Sequence, residues 1–388
     1  MRCFFIGLGT GIAAAYAVFR TAESLGELRQ PRAALPKDAA LYGRLRRSYM
    51  LAGILRSTLL TGAFAYGGAH HVARFIPGKT AWLRTAVFTV VWLLLGSALE
   101  LPVDFIEDFT LERRFSMSDQ TPVAWFNEQI KATLISVAFA APLAALLSAL
   151  IQKKRHNWPW IASAALAPFF VLGNLIVPVF VAPMFNRFEP LRGALEERLR
   201  ALGRRYGVGD ADILRMDMSR QTKKVNAYVA GVFKTHRIVV GDTLIEKFPD
   251  DEIEFIVAHE LGHYVTRDTW RLIALGQCTA GAMMFAANAA MSGTREDLSE
   301  PQQLARLYFW IILFSQMLRP GLFWFARSRE WAADRFAVAA TKAPQAGANA
   351  FQRLREINLA EEEQPRWMEV LFSTHPSLKA RIAAIKAA

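Results

Sequence analysis

Long apolar runs constrain this chain more than any other feature. They fall at about 3–18, 49–66, 86–103, 134–151, 158–181, 272–291 and 307–326, and each carries few charges. Every run is near the ~20 residues a helix needs to cross the hydrocarbon core of a bilayer. A positive mean hydropathy and an apolar share of 53% over 388 residues fit a membrane protein better than a soluble one. The expected fold class is therefore mainly α: a polytopic membrane protein with about seven transmembrane helices and its termini on opposite sides. The first run also has the form of a cleavable signal peptide, with Arg2 before it and Ala13, Ala14 and Ala15 inside it. Whether it is retained stays open. Its Gly7 and Gly11 form a G-x-x-x-G, which close packing inside one bundle explains as well as any partner does.

A net charge of +12 raises the question of nucleic acid, and the placement of the charges answers it. Arg20, Arg29, Arg32, Lys37, Arg44, Arg46 and Arg47 lie between the first two runs, as expected of a cytoplasmic loop under the positive-inside rule. Residues 104–131, 183–271 and the C-terminal tail are then cytoplasmic too. Lys153, Lys154 and Arg155 sit on the opposite side and weigh against that orientation. No basic patch interleaves with aromatic residues as in strand-binding surfaces, so nucleic acid is not an expected partner. Cys3 and Cys278 both fall in apolar runs and suggest neither a disulfide framework nor a metal-binding pair.

Between the fifth and sixth runs the pattern becomes that of a small soluble insert. Leu191, Leu195, Leu199 and Leu202 recur at helical spacing against Glu196, Arg198 and Arg200, which predicts an amphipathic helix over 191–206. Strands are expected at 214–218, 226–232 and 237–240, the last two joined by a turn at Lys234 and Thr235. A second helix follows, with Asp250 and Asp251 as N-cap candidates, Glu254 completing a capping box, and Ile253, Ile256 and Val257 as its apolar stripe. This helix carries His259, Glu260 and His263 as H-E-x-x-H. Imidazoles at i and i+4 project from one face and can grip one Zn2+, while the intervening carboxylate is placed to take a proton from a water. Glu260 is thus the candidate general base, and His259 and His263 the candidate metal ligands.

A catalytic zinc usually has three protein ligands, and the run Ala326-Arg-Ser-Arg-Glu-Trp-Ala-Ala-Asp334 offers the third. Glu330 is expected to ligate and Asp334, one turn on, to orient a zinc histidine. Read alone, the two acids would be surface partners of Arg327 and Arg335.

Further segments resemble those of the type I CAAX prenyl proteases, integral-membrane zinc metallopeptidases of the gluzincin group. The likeness runs from about residue 104 to the C-terminus. It is carried by Phe109-Thr-Leu-Glu-Arg-Arg-Phe-Ser-Met-Ser-Asp-Gln-Thr121, by Ala182-Pro-Met-Phe-Asn-Arg-Phe-Glu-Pro190, by Asn226-Ala-Tyr228, by the two metal motifs, and by His375-Pro376 with Arg381. Ala326 stands where the family usually has serine, and Ser377 where a second proline is common. The resemblance implies that Asn226, Ala227 and Tyr228 bind substrate, and that His375 and Arg381 contact peptide or steady the tetrahedral intermediate. It also implies a hydrated chamber, to which Arg56, Glu100, Asn288, Gln316 and Arg319 would face; pairing between neighbouring helices is the other account of these costly groups.

Together these readings give an N-terminal membrane region over 1–182 with five spans. A zinc metallopeptidase region over 183–388 follows, holding a small α+β zincin-like insert, two further spans (272–291, 307–326) and the tail. The expected activity is peptide-bond hydrolysis with one zinc per chain. The expected partners are a peptide or protein substrate, with or without a lipid on its C-terminus, and membrane lipids. An alanine- and arginine-rich composition favours a bacterial cytoplasmic membrane over the endoplasmic reticulum, with the active site toward the cytoplasm. Two alternatives remain at this point: a membrane quality-control protease like the HtpX group, and a transporter or pore with a structural zinc.

Overall fold

In the computed structural model, which describes residues 38–231, 235–293 and 297–388, the apolar runs fold into long helices. Five helices among the described residues are long and apolar enough to cross a membrane: Ala81–Arg114, Pro122–Lys153, Trp158–Met184, Asp268–Ala290 and Pro301–Thr341. They contain five of the seven runs. The run at 3–18 lies outside the described residues. The run at 49–66 is helical, in α1 (Ala39–Ala63) and the π turn Phe64–Gly68 that follows, yet it falls short of a candidate span. Arg56, with Gly53, Ser57, Thr58, Thr61 and Gly62 around it, dilutes its hydropathy. Leu134, Leu146, Trp160, Phe180 and Met317 stand exposed on the candidate spans, a surface suited to lipid and not to water.

Several polar groups within the runs have partners on neighbouring helices. Arg56 Nε donates to Glu100 Oε2 at 2.7 Å and its Nη1 to Glu107 Oε1 at 3.4 Å. Trp158 Nε1 donates to Asn288 Oδ1 at 3.1 Å, and Arg319 lies over the Phe372 ring at 5.5 Å. For these residues pairing is realised, which lowers the cost of placing them at membrane depth.

The soluble part holds a four-stranded sheet of β1 (Phe188–Pro190), β2 (Asp212–Met216), β3 (Ala227–Ala230) and β4 (Arg237–Gly241) in the order β1-β2-β4-β3. Only β2 and β4 run parallel. The three expected strands are present, two of them shifted or shortened: β2 begins at Asp212, before Leu214, and β3 begins one residue after Asn226. The short strand β1 was not expected. The amphipathic helix spans Ala194–Arg205 and buries Leu195, Leu199 and Leu202, where Leu191 instead donates its amide to Ile213 O at 2.9 Å ahead of the helix.

The H-E-x-x-H helix spans Asp250–Val265. Its N-cap is Pro249, with no side-chain capping bond, so the expected capping box of Asp251 and Glu254 does not form. The helix starts earlier than that box requires, which puts Asp250, Asp251 and Glu252 in its first turn, where their charge complements the helix dipole. Glu254 pairs with Arg198 at 2.7 Å instead. Nor is this helix buried on one stripe only: Ile253, Phe255, Val257, Ala258 and Leu261 are all fully enclosed. Burial of each large aliphatic or aromatic side chain contributes ~1.5–3 kcal/mol, enough to hold the helix rigidly among its neighbours.

Glycine decides how closely those neighbours approach. A Cβ on Gly262 would lie 3.1 Å from Ala333 Cα on the Pro301–Thr341 helix. Gly262 and Ala333 thus let the two backbones come together, and that approach brings Glu330 to the histidines.

Candidate active site

His259 and His263 project from adjacent turns of the Asp250–Val265 helix, and Glu330 meets them from the Pro301–Thr341 helix. His259 Nε2 is 3.4 Å from Glu330 Oε2, and His263 Nε2 is 3.3 Å from Glu330 Oε1. The ligand atoms of these three residues all lie within 4.8 Å of one another. Nitrogen and oxygen ligands held tetrahedrally at ~2.0–2.1 Å from an ion would sit about 3.3 Å apart, close to the separation of each imidazole from the Glu330 carboxylate. Glu330 Oε2 is also buried, with the Arg381 guanidinium beside it at 3.1 Å.

The opposite edge of each imidazole faces its own aspartate. His259 Nδ1 lies 2.9 Å from Asp334 Oδ1, and His263 Nδ1 lies 3.0 Å from Asp268 Oδ2. An ionised carboxylate only accepts, so it selects the tautomer protonated at Nδ1 and leaves the Nε2 lone pair for a metal. Both aspartates are buried, with 3% exposure for Asp334 and 2% for Asp268. Neither Glu330 nor Asp334 pairs with the surface arginines near it in sequence. Arg327 instead donates to the carbonyls of Glu369 and Ser373 at 2.7 Å each.

Asp268 is a site residue that sequence reasoning missed. It reaches back because Arg267 adopts the left-handed conformation, φ 56°, reversing the chain between two helices; for a residue with a side chain that costs roughly 1–2 kcal/mol. Arg329 Nε then donates to Asp268 Oδ1 at 2.6 Å, completing a link from His263 to the helix that carries Glu330. The only local hint was a lone acid five positions after His263.

The remaining expected residues border one cavity of about 360 Å³, which also receives His259, Glu260 and Glu330. Asn226 and Ala227 line it, as do His375 and Arg381; Tyr228, half-buried, is next along β3 and outside the lining. Asn226 accepts from Gly241 N at 3.0 Å. His375 forms an exposed part of the wall: its side chain is 60% exposed and its Nε2 lies 3.5 Å from Glu330 Oε1. Ser377, where the resembled family favours proline, caps the helix Leu378–Lys386 by accepting from Ala380 N at 3.3 Å.

Arg381 is more enclosed than a residue waiting for substrate. Its Nε and Nη2 donate to the two oxygens of Asp334 at 2.8 and 2.6 Å, its plane lies 4.3 Å above the Phe351 ring, and Nη1 is 3.1 Å from Glu330 Oε2. A second residue that sequence reasoning missed is Asn358. Its Oδ1 accepts from Val225 N at 2.8 Å and its Nδ2 donates to Val225 O at 3.2 Å, clamping the chain just before β3.

Burial raises the Glu260 carboxyl above the usual glutamate range, with His259 and His263 pulling against it. For His259, burial lowers the pKa, but hydrogen bonds to Asp334 and Glu330 outweigh it and lift the metal-free group to about 9.

Comparison with known proteins decides the family. Residues 191–388 match the model for peptidase family M48, and residues 37–187 match that of the CAAX prenyl protease N-terminal region, five membrane helices. The chain belongs to peptidase family M48. It is a metallopeptidase embedded in a membrane by several spans, and the family implies a metal at the His-His-Glu group. The M48 relatives include a Bacillus subtilis metalloprotease, YhfN, 27% identical over 78% of this chain and 73% of that one. A CAAX prenyl protease 1 homolog of Oryza sativa subsp. japonica is 29% identical over the same shares. The Saccharomyces cerevisiae CAAX prenyl protease 1 is 31% identical over 47% of this chain and 41% of that one. In fold, this M48 chain is similar to the crystal structure of S. mikatae Ste24p, with a TM-score of 0.77, 21% identity and coverage of 97% and 98%.

Proposed function

We propose that the chain is a zinc endopeptidase, one Zn2+ per chain held by His259, His263 and Glu330, that cuts extended peptides at the boundary of membrane and cytoplasm. The observation that carries this reading is the doubly buttressed histidine pair, each Nδ1 on its own buried aspartate, at the floor of a cavity bordered by β3. Bound there, zinc supplies a Lewis acid that acidifies water and polarises a carbonyl. Glu260 takes the proton of the attacking water and delivers it to the leaving amine. His375, exposed at the cavity wall, donates to the developing oxyanion, a role worth about 3 kcal/mol for one preorganised donor. Arg381 contributes through Nη1, while its other nitrogens fix Asp334 and, through it, His259.

Substrate recognition follows from the sheet order. The strand β3 is an edge, so an extended peptide can add to it through backbone hydrogen bonds, with Asn226, Ala227 and Tyr228 as its frame. The names of the CAAX prenyl protease relatives suggest that lipid-modified C-termini are among the substrates, and spans around the site offer an apolar path for the lipid. We also propose seven spans in all, a zincin-like insert, a division near residue 182, a bacterial cytoplasmic membrane and a cytoplasmic site; the change of family match between residues 187 and 191 supports the division. The match over the N-terminal region favours this reading over a quality-control protease of the HtpX group, and membership of a peptidase family leaves no support for a transporter.

Purified protein should cleave peptide only when metal-loaded, and Glu260→Gln should abolish cleavage while keeping about one zinc per chain. Zinc lost together with activity would make Glu260 a ligand; activity retained in the variant would remove it as the base.

A further inference from the structure

A separate cavity, of about 450 Å³, shares no lining residue with the catalytic one. Its polar wall is Tyr206, His236, Tyr264, Arg267, Thr269 and Trp270, with no carboxylate among the described residues. Burial lowers the pKa of His236 against the pull of the Gly231 backbone, so Arg267 is the standing charge of the wall. That charge is unspent. Asp268, the next residue, has its oxygens on His263 and Arg329, and among the described residues no ion pair forms at Arg267, which is exposed.

Two spans set the place of this cavity. Arg237 Nη1 donates to Pro178 O at 3.1 Å, which ties the start of β4 to the π turn Val177–Val181 of the candidate span Trp158–Met184. That span packs on the candidate span Asp268–Ala290, where Gln277 Nε2 donates to Ser163 Oγ at 3.2 Å. Tyr264, Arg267, Thr269 and Trp270 immediately precede the apolar run that starts at 272. At 1.5 Å per residue, Arg267 stands about 7 Å outside that run. The headgroup layer is roughly 5–7 Å deep on each face of a bilayer, so Arg267 lies at the depth of lipid phosphates. Exposed Trp270 and Leu272 mark the boundary, since tryptophan is enriched where membrane meets water.

We infer that this cavity is a site for the headgroup of an anionic phospholipid, with the lipid phosphate on the Arg267 guanidinium. Such a site needs only the membrane embedding and not the peptidase reading. Guanidinium suits phosphate because parallel N–H donors match two oxygens, and basic pockets beside membrane helices hold anionic headgroups in this way. A zwitterionic headgroup fits less well. Its cation finds no carboxylate in the wall, and the tyrosine rings that could hold it are already engaged, Tyr206 on Phe336 and Tyr264 on His236 at 4.7 Å each. Inorganic phosphate offers the same oxygens but no acyl chains to lie along the span below Trp270.

The test uses the full-length, zinc-loaded protein in a neutral detergent, with native mass spectrometry reading its affinity for phosphatidylglycerol and for phosphatidylcholine of the same acyl chains. Phosphatidylglycerol should bind about tenfold more tightly, in the range of one charged hydrogen bond. Arg267→Asn removes the charge with a residue that accepts the left-handed backbone, and should bring the two lipids to equal affinity, whereas Arg267→Lys should keep part of the preference. Arg271→Gln removes the same charge one turn along the helix, outside the wall, and should leave the preference in place. Equal binding of the two lipids by the wild type overturns the site, as does a preference that Arg267→Asn leaves unchanged. A preference that Arg271→Gln abolishes to the same extent also overturns it, because diffuse surface charge is then the cause. Inorganic phosphate at the concentration of the lipid should not displace it; displacement would make this a free-phosphate site and overturn the lipid assignment. Where Arg267→Asn does not fold, arginine modification of the wild type by phenylglyoxal decides. Phosphatidylglycerol should shield Arg267 and phosphatidylcholine should not, and equal modification under both lipids overturns the site.

Discussion

Asp268 offers the sharpest check on how the metal site is held, because nothing about its sequence position announces it. Replacing it with asparagine keeps the size and an acceptor but removes the charge that faces His263 Nδ1 at 3.0 Å. Loss of such a carboxylate behind a histidine ligand typically lowers metal affinity 10- to 100-fold, about 1.4–2.7 kcal/mol. One opposing effect must be separated. Burial lowers the His263 pKa, but its bonds to Glu330 and Asp268 raise it overall, so the variant also loses proton competition and part of the deficit is hidden at neutral pH. As pH rises above the raised His263 pKa that competition fades, and the ratio of affinities reads the orientation effect alone. Zinc affinity, measured by competition with a chromogenic chelator across pH, should show a deficit for Asp268→Asn that widens as pH rises. Asp334→Asn serves as the comparison. It also strips Arg381 of a bidentate partner in a buried setting, where breaking a pair costs about 3–5 kcal/mol, so it should lower thermal stability as well as zinc affinity. An Asp268→Asn protein that binds zinc like the wild type at every pH would refute the buttressing argument.

Three more expectations follow from the same geometry. Glu330→Ala should leave the purified protein without stoichiometric zinc, and a full equivalent by metal analysis would mean that another group completes the site. The base role proposed for Glu260 requires the ionised form, and burial raises its pKa, so kcat/KM should fall as pH drops through a value above the ordinary ~4.3 of glutamate; an acid limb at or below that value would assign the titration elsewhere. A farnesylated peptide should be used better than its bare twin in bilayers, since each buried methylene contributes about 0.8 kcal/mol; equal kcat/KM would remove lipid recognition and favour the quality-control reading.

How much was legible in the sequence depended on the range of the interaction. His259, Glu260 and His263 needed only helical periodicity, and the pair Glu330 and Asp334 needed the same rule plus the knowledge that a third ligand was missing. Asp268 depended on a left-handed turn at Arg267, a conformation that residue type alone would not predict. Asn358 meets Val225 across 133 positions, so no local pattern exposes it. The capping box failed because the helix begins two residues too soon for it, with Pro249 and not Asp251 as its N-cap, a boundary error of the size helix ends commonly show. Arg381 was read through resemblance as a transition-state donor. Its partners, which only the tertiary structure supplies, give it a structural task as well.

The helices themselves support placing catalysis at the membrane surface. Glu330 lies four residues beyond the apolar run that ends at 326, on the unbroken helix Pro301–Thr341, so at 1.5 Å per residue it stands about 6 Å past the run's end. On the other side, only Thr266 and Arg267 separate the H-E-x-x-H helix from the candidate span Asp268–Ala290. Both halves of the metal site are therefore anchored to segments whose depth a bilayer would fix. A soluble metallopeptidase can meet its substrate from any direction. In the proposed reading this anchoring favours chains held close to the bilayer, so that the membrane would select among substrates that a backbone-reading edge strand does not distinguish.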